Sequence, residues 1–215
     1  MLIYIDSANI EEISKYQSYG FIDGVTTNPS LIAKAGIKPK NLKNHLSKIC
    51  EIVKGLVSIE VYATNYEPML QEAIEYSMIA KNIVIKLPCT EGGLRACKTL
   101  SGKNIKTNIT LVFSPLQAMM AAKMGATIVS PFIGRVEDAL FDGIELITQC
   151  REIFDNYDFE TKILSASFRS NKQIAQIARI GSDIATVSPE LLDTFIKHPF
   201  TDIGLEKFLK DAKIH

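Results

Sequence analysis

Lys86 is the residue whose setting in this sequence most strongly suggests chemistry. It follows the apolar run 83–85 and precedes Leu87 and Pro88. Lysine is rarely buried, and burial favours the neutral amine, which can attack a carbonyl carbon and form a Schiff base. The alternative interpretation is a side chain that extends from the end of a strand to solvent.

Two carboxylates lie in comparable settings. Glu60 sits inside the apolar segment VSIEV, and Asp6 ends the run LIYID. A buried Glu60 is either half of an ion pair with Lys86 or the acid/base that moves the protons of Schiff-base chemistry. Asp6 is either a second proton-transfer group or a cap for the helix predicted after it. The sequence leaves both alternatives open.

Two arginines indicate an anion site. Arg135 follows PFIG, and Arg169 follows SASF. Two guanidinium groups at the ends of neighbouring strands could chelate a phosphate, with Ser167 contributing a hydroxyl or amide. The alternative is surface ion pairing, with Arg135 next to Glu137 or Asp138. Other polar residues at predicted strand ends are Asn28, Asn108, Thr110 and Ser130.

Eight strand-like apolar runs alternate with helical segments and must position these residues. The runs begin near Leu2, Gly24, Val57, Ile83, Lys106, Thr127, Lys162 and Ile184. The starts are about 26 residues apart on average, which accommodates a strand, a loop and a crossover helix. Strict alternation leaves an open doubly wound sheet or a closed barrel, and the count of eight favours a (β/α)8 TIM barrel. In such a barrel the carboxyl ends of the strands converge on the active face.

The helical segments show apolar residues recurring on one face. Asn171 is expected to cap the helix that carries Ile174 and Ile177. An eighth crossover helix is expected at about 189–197, and an extra tail helix at about 200–213. No linker divides the chain, so residues 1–215 are expected to form one domain.

Composition excludes several classes of protein. The 215 residues carry 24 basic and 24 acidic side chains, and 47% are hydrophobic. This balance argues for a globular enzyme-sized domain and against a general nucleic-acid binder. The first residues lack the pattern of a signal peptide, and no apolar stretch approaches the roughly 18 residues of a membrane helix. We therefore expect a cytoplasmic protein without membrane or nucleic-acid partners.

Metal and redox signals are weak. The four cysteines lack CxxC spacing and are expected to be free thiols in a reducing compartment. The three histidines, at 45, 198 and 215, fall in predicted helices or the tail, where they would not cluster around a metal. The sequence contains no P-loop, GxGxxG or GxSxG motif.

The same residues lie in segments that resemble the transaldolase family. The segments, in order, are IDSAN, GVTTNPSLIAKAG, SIEV, VIKLP-x-TEGG, NITLVFS, VSPFIGR and SASFR. The resemblance covers essentially the whole chain, and the compact length is similar to the small subgroup that includes the fructose-6-phosphate aldolases. It implies sugar-phosphate substrates and a reaction that needs neither a metal nor an organic cofactor.

The resemblance also implies a role for each matching residue. Lys86 would form the Schiff base, Asp6 would take the proton of the C4 hydroxyl, and Glu60 with Thr110 would position a catalytic water. Asn28, Asn108, Ser130 and Phe132 would contact the dihydroxyacetone portion, and Arg135, Ser167 and Arg169 would bind the phosphate.

Pocket positions favour a transaldolase over an aldolase within this resemblance. Glu60, Asn108 and Ser130 followed by Phe132 match transaldolases, whereas the aldolases carry Gln for Glu60. An aldolase that releases free dihydroxyacetone, and a barrel that only binds phosphosugars, are the alternatives.

Cys89 departs from the Val or Thr that is usual at this position in the small family members, and we interpret its thiol as a packing group. The resemblance also implies a homo-oligomer, a pentamer that pairs into a decamer, in which the tail helix would pack on a neighbour. The amphipathic tail could equally cap its own barrel.

Overall fold

Eight parallel strands close into one barrel in the computed structural model, which describes residues 1–213. The strands are β1 Leu2–Asp6, β2 Gly24–Thr26, β3 Val57–Glu60, β4 Ile83–Pro88, β5 Thr107–Val112, β6 Ile128–Pro131, β7 Lys162–Ser165 and β8 Ile184–Val187. Each strand pairs with its neighbours in sequence, and β1 also pairs with β8. The predicted (β/α)8 barrel is confirmed, and every predicted strand begins within one residue of its expected start.

Helices follow the strands and cover the outside of the barrel. They are α1 Ile10–Ser18, α2 Pro29–Lys34, α3 Leu42–Ile52, α4 Tyr66–Ser77, α5 Glu91–Ser101, α6 Pro115–Lys123, α7 Ile133–Asp138, α8 Gly143–Asn156, α9 Asn171–Ile180, α10 Pro189–Leu192 and α11 Pro199–Asp211. Two crossovers hold a pair of helices, α2 with α3 and α7 with α8. The second pair matters for the site, because α7 starts directly after β6.

Two helix boundaries differ from the sequence prediction. Asn171 is the first helical residue of α9, and the cap is Ser170, whose side chain accepts from the amide of Gln173 in a reciprocal capping box. The eighth crossover helix is a short α10 instead of the predicted 189–197. From Thr194 onward the bonded amides reach carbonyls three residues back, and the Thr194 hydroxyl donates to the carbonyl of Leu191 at 2.7 Å, so the α-helix does not continue.

Alternate residues of each strand face the helices or the barrel interior. Residues that face the helices, such as Ile5, Val25 and Ile85, belong to the main apolar core. The interior begins with a second, smaller cluster, here called the apolar layer: Tyr4, Val84, Ile128, Leu164 and Ile184. Further along the strands the interior is polar, and these residues are here called the polar layer: Asp6, Thr26, Glu60, Lys86, Asn108, Ser130 and Thr186.

The tail helix α11 buries none of its residues against the barrel. The aromatic side chains of Phe200 and Phe208 are 76% and 70% exposed. The expectation of a tail helix is confirmed, and the alternative in which it caps its own barrel is wrong. Within residues 1–213, no helix combines the length and apolar character that crossing a membrane requires.

Candidate active site

Three polar side chains lie next to one another on β3, β4 and β5. The strand register pairs Glu60 with Lys86 and Lys86 with Asn108. Lys86 Nζ lies 3.1 Å from Glu60 Oε2 and donates to the carbonyl oxygen of Thr27 at 3.2 Å. The Lys86 side chain is 6% exposed and that of Glu60 is 15% exposed. The interpretation of Lys86 as a lysine that reaches solvent is therefore wrong, and a proton can pass directly between the two groups.

Asp6 lies at the end of β1 and is largely buried. Burial raises the pKa of the Asp6 carboxyl, and the nearby Lys86 ammonium and the hydrogen bond from Thr26 act in the opposite direction. The predicted alternative of a helix cap is wrong. The cap of α1 is Asn9, whose Oδ1 accepts from the amide of Glu12 at 3.0 Å. A buried carboxylate with a raised pKa is suited to take a proton.

A chain of two hydroxyls supports Asp6. Thr26 Oγ1 donates to Asp6 Oδ1 at 2.6 Å and lies 2.5 Å from Thr186 Oγ1. An ionised carboxylate only accepts, so Thr26 gives its hydrogen to Asp6 and Thr186 gives its own to Thr26. Sequence reasoning missed both threonines. The period of two along β2 and β8 could have found them, because they face the interior next to Asp6.

Asn108 and Ser130 form a second buried network. Ser130 Oγ donates to Asn108 Oδ1 at 2.6 Å, and Asn108 Nδ2 donates to Ser58 Oγ at 3.2 Å. These bonds fix the orientation of the Asn108 amide.

Thr110 differs from its neighbours, because its buried Oγ1 has no hydrogen-bond partner among the residues that the structure describes. The next residue, Leu111, has a φ of 57°, and the register between β5 and β6 shifts between Ile109 and Val112. Such a bulge turns a side chain away from the regular ladder. The hydrogen-bonding capacity of the Thr110 hydroxyl is therefore unused among the described residues.

Asn28 caps α2 through Oδ1, which accepts from the amide of Leu31 at 2.9 Å. The side-chain nitrogen of Asn28 remains as a donor. Asn28 also lines the cavity described below. One residue thus starts a helix and offers a hydrogen bond to a ligand.

Arg135 and Arg169 lie at the opposite side of the site from Glu60, in α7 and in the loop after β7. Arg169 Nη2 donates to Asp138 at 2.6 Å, and Nη1 donates to Ser167 Oγ at 3.2 Å. The guanidinium carbon of Arg135 lies 5.2 Å from the ring centroid of Phe132. The alternative of surface pairing of Arg135 with Glu137 or Asp138 is wrong. Asp138 pairs with Arg169, Glu137 accepts from Gln173, and the Arg135 guanidinium lies over the Phe132 ring instead.

One cavity of about 240 Å³ joins the reactive groups to the arginines. Eight of the site residues predicted from the sequence line this cavity: Asp6, Asn28, Lys86, Ser130, Phe132, Arg135, Ser167 and Arg169. Residues that sequence reasoning missed are Thr26, Leu164, Ala166, Phe168, Thr186 and Ser188. Glu60, Asn108 and Thr110 are not among the lining residues. Glu60 and Asn108 act on the cavity through Lys86 and Ser130, which they contact.

The histidines and cysteines lie apart from this chemistry. His45 Nε2 bonds the carbonyl oxygen of Ala8, and His198 Nδ1 accepts from the amide of Phe200. His215 lies outside the described residues. Within residues 1–213 no three His, Cys, Asp or Glu side chains are grouped so that they could hold a metal ion. The cysteines are free, and Cys89 packs against the main core, where burial raises its pKa.

The arrangement suits an anionic carbonyl compound. A buried amine beside a carboxylate can form and hydrolyse an imine, and a second carboxylate can accept a hydroxyl proton. The two guanidinium groups at the far side can hold a phosphate bidentately. One cavity therefore connects the Lys86 amine with the two guanidinium groups.

Comparisons with known proteins agree with this chemistry. The profile of the "Transaldolase/Fructose-6-phosphate aldolase" family matches residues 3–214. A protein of Thermodesulfovibrio yellowstonii is 53% identical over 98% of this chain and 97% of its own length. Proteins of Bartonella tribocorum (51% identical, 99% of this chain, 97% of its own) and Phocaeicola vulgatus (50%, 99% and 98%) are similar as well. All three carry the name "Probable transaldolase".

Proposed function

The chain belongs to the transaldolase/fructose-6-phosphate aldolase family of enzymes, and we propose that it is a transaldolase that carries a dihydroxyacetone unit on Lys86. The donor is sedoheptulose 7-phosphate or fructose 6-phosphate, and the acceptor is glyceraldehyde 3-phosphate or erythrose 4-phosphate. The observation that carries the proposal is the buried contact of 3.1 Å between Lys86 Nζ and Glu60 Oε2, in a site that also holds two arginines.

The first step forms the covalent intermediate. Glu60 takes a proton from the Lys86 ammonium, and the neutral amine attacks the C2 carbonyl of the ketose. The carbinolamine loses its hydroxyl as water and becomes a protonated imine. Glu60 returns the proton needed for this loss through a water that the free hydroxyl of Thr110 also binds.

The second step breaks the carbon chain. Asp6 takes the proton of the C4 hydroxyl, the C3–C4 bond breaks, and its electron pair moves into the imine to give an enamine. The aldose phosphate leaves with the new C4 aldehyde. The acceptor aldehyde then enters, the enamine attacks it, and Asp6 returns the proton to the new hydroxyl. The raised pKa of Asp6 supports this exchange in both directions.

The arginines and amides hold the substrate in register. Arg135, Arg169 and Ser167 bind the phosphate, while Asn28, Ser130 and Asn108 hydrogen-bond the hydroxyls of the three-carbon unit. Phe132 lines the cavity, and its ring lies against the Arg135 guanidinium. Because the phosphate is fixed at one side, the reacting carbons are held at Lys86 without a metal or an organic cofactor.

Reductive trapping tests the covalent step. Borohydride added with fructose 6-phosphate should reduce the imine and leave a dihydroxyacetone-derived adduct on the peptide that contains Lys86. Lys81→Ala is the control for removal of a lysine other than Lys86, since Lys81 is an exposed lysine just before the same strand. Absence of any adduct on Lys86 in an enzyme that transfers would exclude the mechanism. Binding of the sugar phosphate without adduct or transfer would favour the non-catalytic barrel.

Fructose-6-phosphate aldolase is the second candidate, because the matching family profile includes both activities. The two differ in whether the enamine meets an aldehyde or is hydrolysed to free dihydroxyacetone. We expect Glu60→Gln to lose mainly transferase activity, since an amide cannot exchange protons through a water as a carboxylate does. Release of dihydroxyacetone at a rate that matches transfer in the unmodified enzyme would instead favour the aldolase.

The reaction assigns the enzyme to the pentose phosphate pathway, and its four free thiols are compatible with the reducing cytoplasm. The partners of the proposal are sugar phosphates. The zero net charge gives no reason to expect a nucleic-acid partner.

The tail helix supports a homo-oligomer, which we propose to be a pentamer or decamer. None of its aromatic and aliphatic residues is buried within residues 1–213, and exposed apolar clusters of this kind mark interfaces. Light scattering after size exclusion should give a mass five or ten times that of the chain. Phe200→Ser with Phe208→Ser should reduce this mass, and an unmodified monomeric enzyme would exclude the proposal.

A further inference from the structure

The two arginines of the anion site belong to different elements that are tied together. Arg135 lies in α7, and Arg169 lies in the loop between β7 and α9. Backbone bonds join the two elements, from the amide of Ile133 to Ala166 at 3.0 Å and from that of Gly134 to the Ser167 carbonyl at 2.8 Å. A Cβ on Gly134 would lie 2.0 Å from that carbonyl oxygen, so the approach requires a glycine here.

Gln173 adds a tie through its side chain. The Gln173 side chain lies in the first turn of α9, and the residue is 5% exposed. Its Oε1 accepts from the backbone amides of Arg169 at 2.6 Å and Ser170 at 3.1 Å. Its Nε2 donates to the carboxylate of Glu137 in α7. The two amide donors require an oxygen, so the orientation of the Gln173 amide is fixed and the nitrogen must face Glu137.

The loop needs such support. Ser167 has a φ of 66°, a left-handed conformation that a serine adopts only when its surroundings hold it there. The ion pair of Arg169 with Asp138 is a weaker support, because these side chains are 49% and 58% exposed. A bound phosphate would also compete with Asp138 for the Arg169 guanidinium. The partly buried Gln173–Glu137 bond does not involve the guanidinium, so it remains when an anion binds.

We propose that Gln173 and Glu137 are positioning residues that hold Ser167 and Arg169 at the correct distance from Arg135 to bind the substrate phosphate. The inference rests on the proposed function, because it assumes a phosphorylated substrate. It predicts that breaking the tie weakens binding of the phosphate group and leaves the chemistry at Lys86 intact.

Gln173→Glu is the first test. The new carboxylate can still accept from the two backbone amides, but it faces Glu137 with like charge. We expect KM for fructose 6-phosphate to rise about tenfold while kcat changes less than about twofold, as for the loss of one charged hydrogen bond. Borohydride trapping with unphosphorylated dihydroxyacetone should be unchanged. Gln176→Glu, which adds the same charge one turn further along α9, is the matched control and should leave KM unchanged.

Exchanging the two side chains is the sharper test. In the double variant Glu137→Gln with Gln173→Glu, the carboxylate again accepts from the loop amides, and the new amide at 137 donates to it. We expect KM to return to within about twofold of the unmodified enzyme. Failure of this rescue, or an unchanged KM in folded Gln173→Glu, would overturn the inference.

A third variant covers the possibility that Gln173→Glu does not fold, since Gln173 also caps α9. Glu137→Ala cuts the tie to α7 and leaves the cap intact, so its thermal midpoint should be nearly unchanged while KM for fructose 6-phosphate rises several-fold. An unchanged KM in this variant would also overturn the inference. Binding of inorganic phosphate, measured by calorimetry, should weaken in parallel. If the unmodified enzyme transfers nothing, the proposed function fails, and the phosphate titrations still decide the positioning role.

Discussion

The apolar and polar layers of the barrel interior use the same strands for opposite purposes. Val84 and Lys86 are two residues apart on β4, and Ile184 and Thr186 are two residues apart on β8. All four are at most 5% exposed, so burial does not distinguish the two members of either pair. The apolar layer fills the interior with hydrocarbon. The polar layer buries charges and hydroxyls and must satisfy each of them with a partner.

The comparison shows how a barrel separates stability from chemistry. Residues of the apolar layer stabilise the fold through the free energy of removing hydrocarbon from water. The polar layer incurs a desolvation cost, which the hydrogen bond from Thr26 and the nearby Lys86 ammonium only partly offset at Asp6. Substitutions in the two layers should therefore have opposite signatures.

The largest effect is expected at Lys86. Lys86→Ala removes the only amine proposed to carry the intermediate, and we expect transfer to fall at least about 1000-fold. Val84→Ala, two residues earlier on the same strand, should keep transfer and lower the thermal midpoint. A coupled transfer assay with a thermal melt measures both. Comparable loss of activity in the two variants would remove the distinction between the layers.

Ile184→Ala tests the apolar layer alone. Ile184 is 2% exposed, and deletion of such a side chain costs about 2–5 kcal/mol because a cavity remains. The free energy of unfolding from denaturant titration should fall by this amount, while kcat measured below the melting range stays within about twofold. A large fall in kcat without loss of stability would contradict the comparison.

Asp6→Asn should separate catalytic activity from thermal stability at a single residue. The asparagine can still accept from Thr26 but cannot take the C4 proton, so transfer should fall about 100-fold or more. Burial raises the pKa of Asp6 in the folded state, so the stability linked to its protonation is lost as pH rises through that pKa. Asp6→Asn should avoid this loss and raise the thermal midpoint by a few degrees at neutral pH. Equal midpoints would contradict the desolvation argument.

Thr26→Val should give the smallest effect. The hydrogen bond from Thr26 lowers the pKa of Asp6, so its removal should raise that pKa further. The acid limb of kcat/KM would then move to higher pH, by less than about one unit. The pH profile of the variant measures the shift, and Thr99→Val in α5 is a control, because the Thr99 hydroxyl bonds that of Tyr66 and not Asp6. A shift to lower pH would show that Thr26 does not stabilise the carboxylate.

Most of the barrel could be predicted from the sequence because its strands are short apolar runs at regular spacing. Lys86, Asp6 and Asn28 could also be predicted as site residues, because an isolated polar side chain at the end of an apolar strand is unusual unless it has a partner or a function. Helix ends were less predictable: Ser170 and Asn171 are both good caps, and only the side-chain geometry distinguishes them.

Contacts between distant loops could not be predicted. The pairing of Asp138 with Arg169, and of Glu137 with Gln173, depends on how closely α7 approaches the loop after β7. Neither sequence periodicity nor spacing contains that distance. Thr26 and Thr186 are a different case, because the interior period of two marks them, and attention to strand ends alone missed them.

The closure of the barrel has a consequence for how the enzyme is made. β1 pairs with β8, and Thr26 bonds Thr186, across about 160 residues or more of intervening chain. A ribosome synthesises the first strand long before the last, so the edge of β1 that pairs with β8 must stay open, with its hydrogen bonds unformed, until β8 is made. Asp6 and its hydroxyl chain are completed only when β8 arrives, so a nascent chain that lacks the last strand has Lys86 but not the finished base.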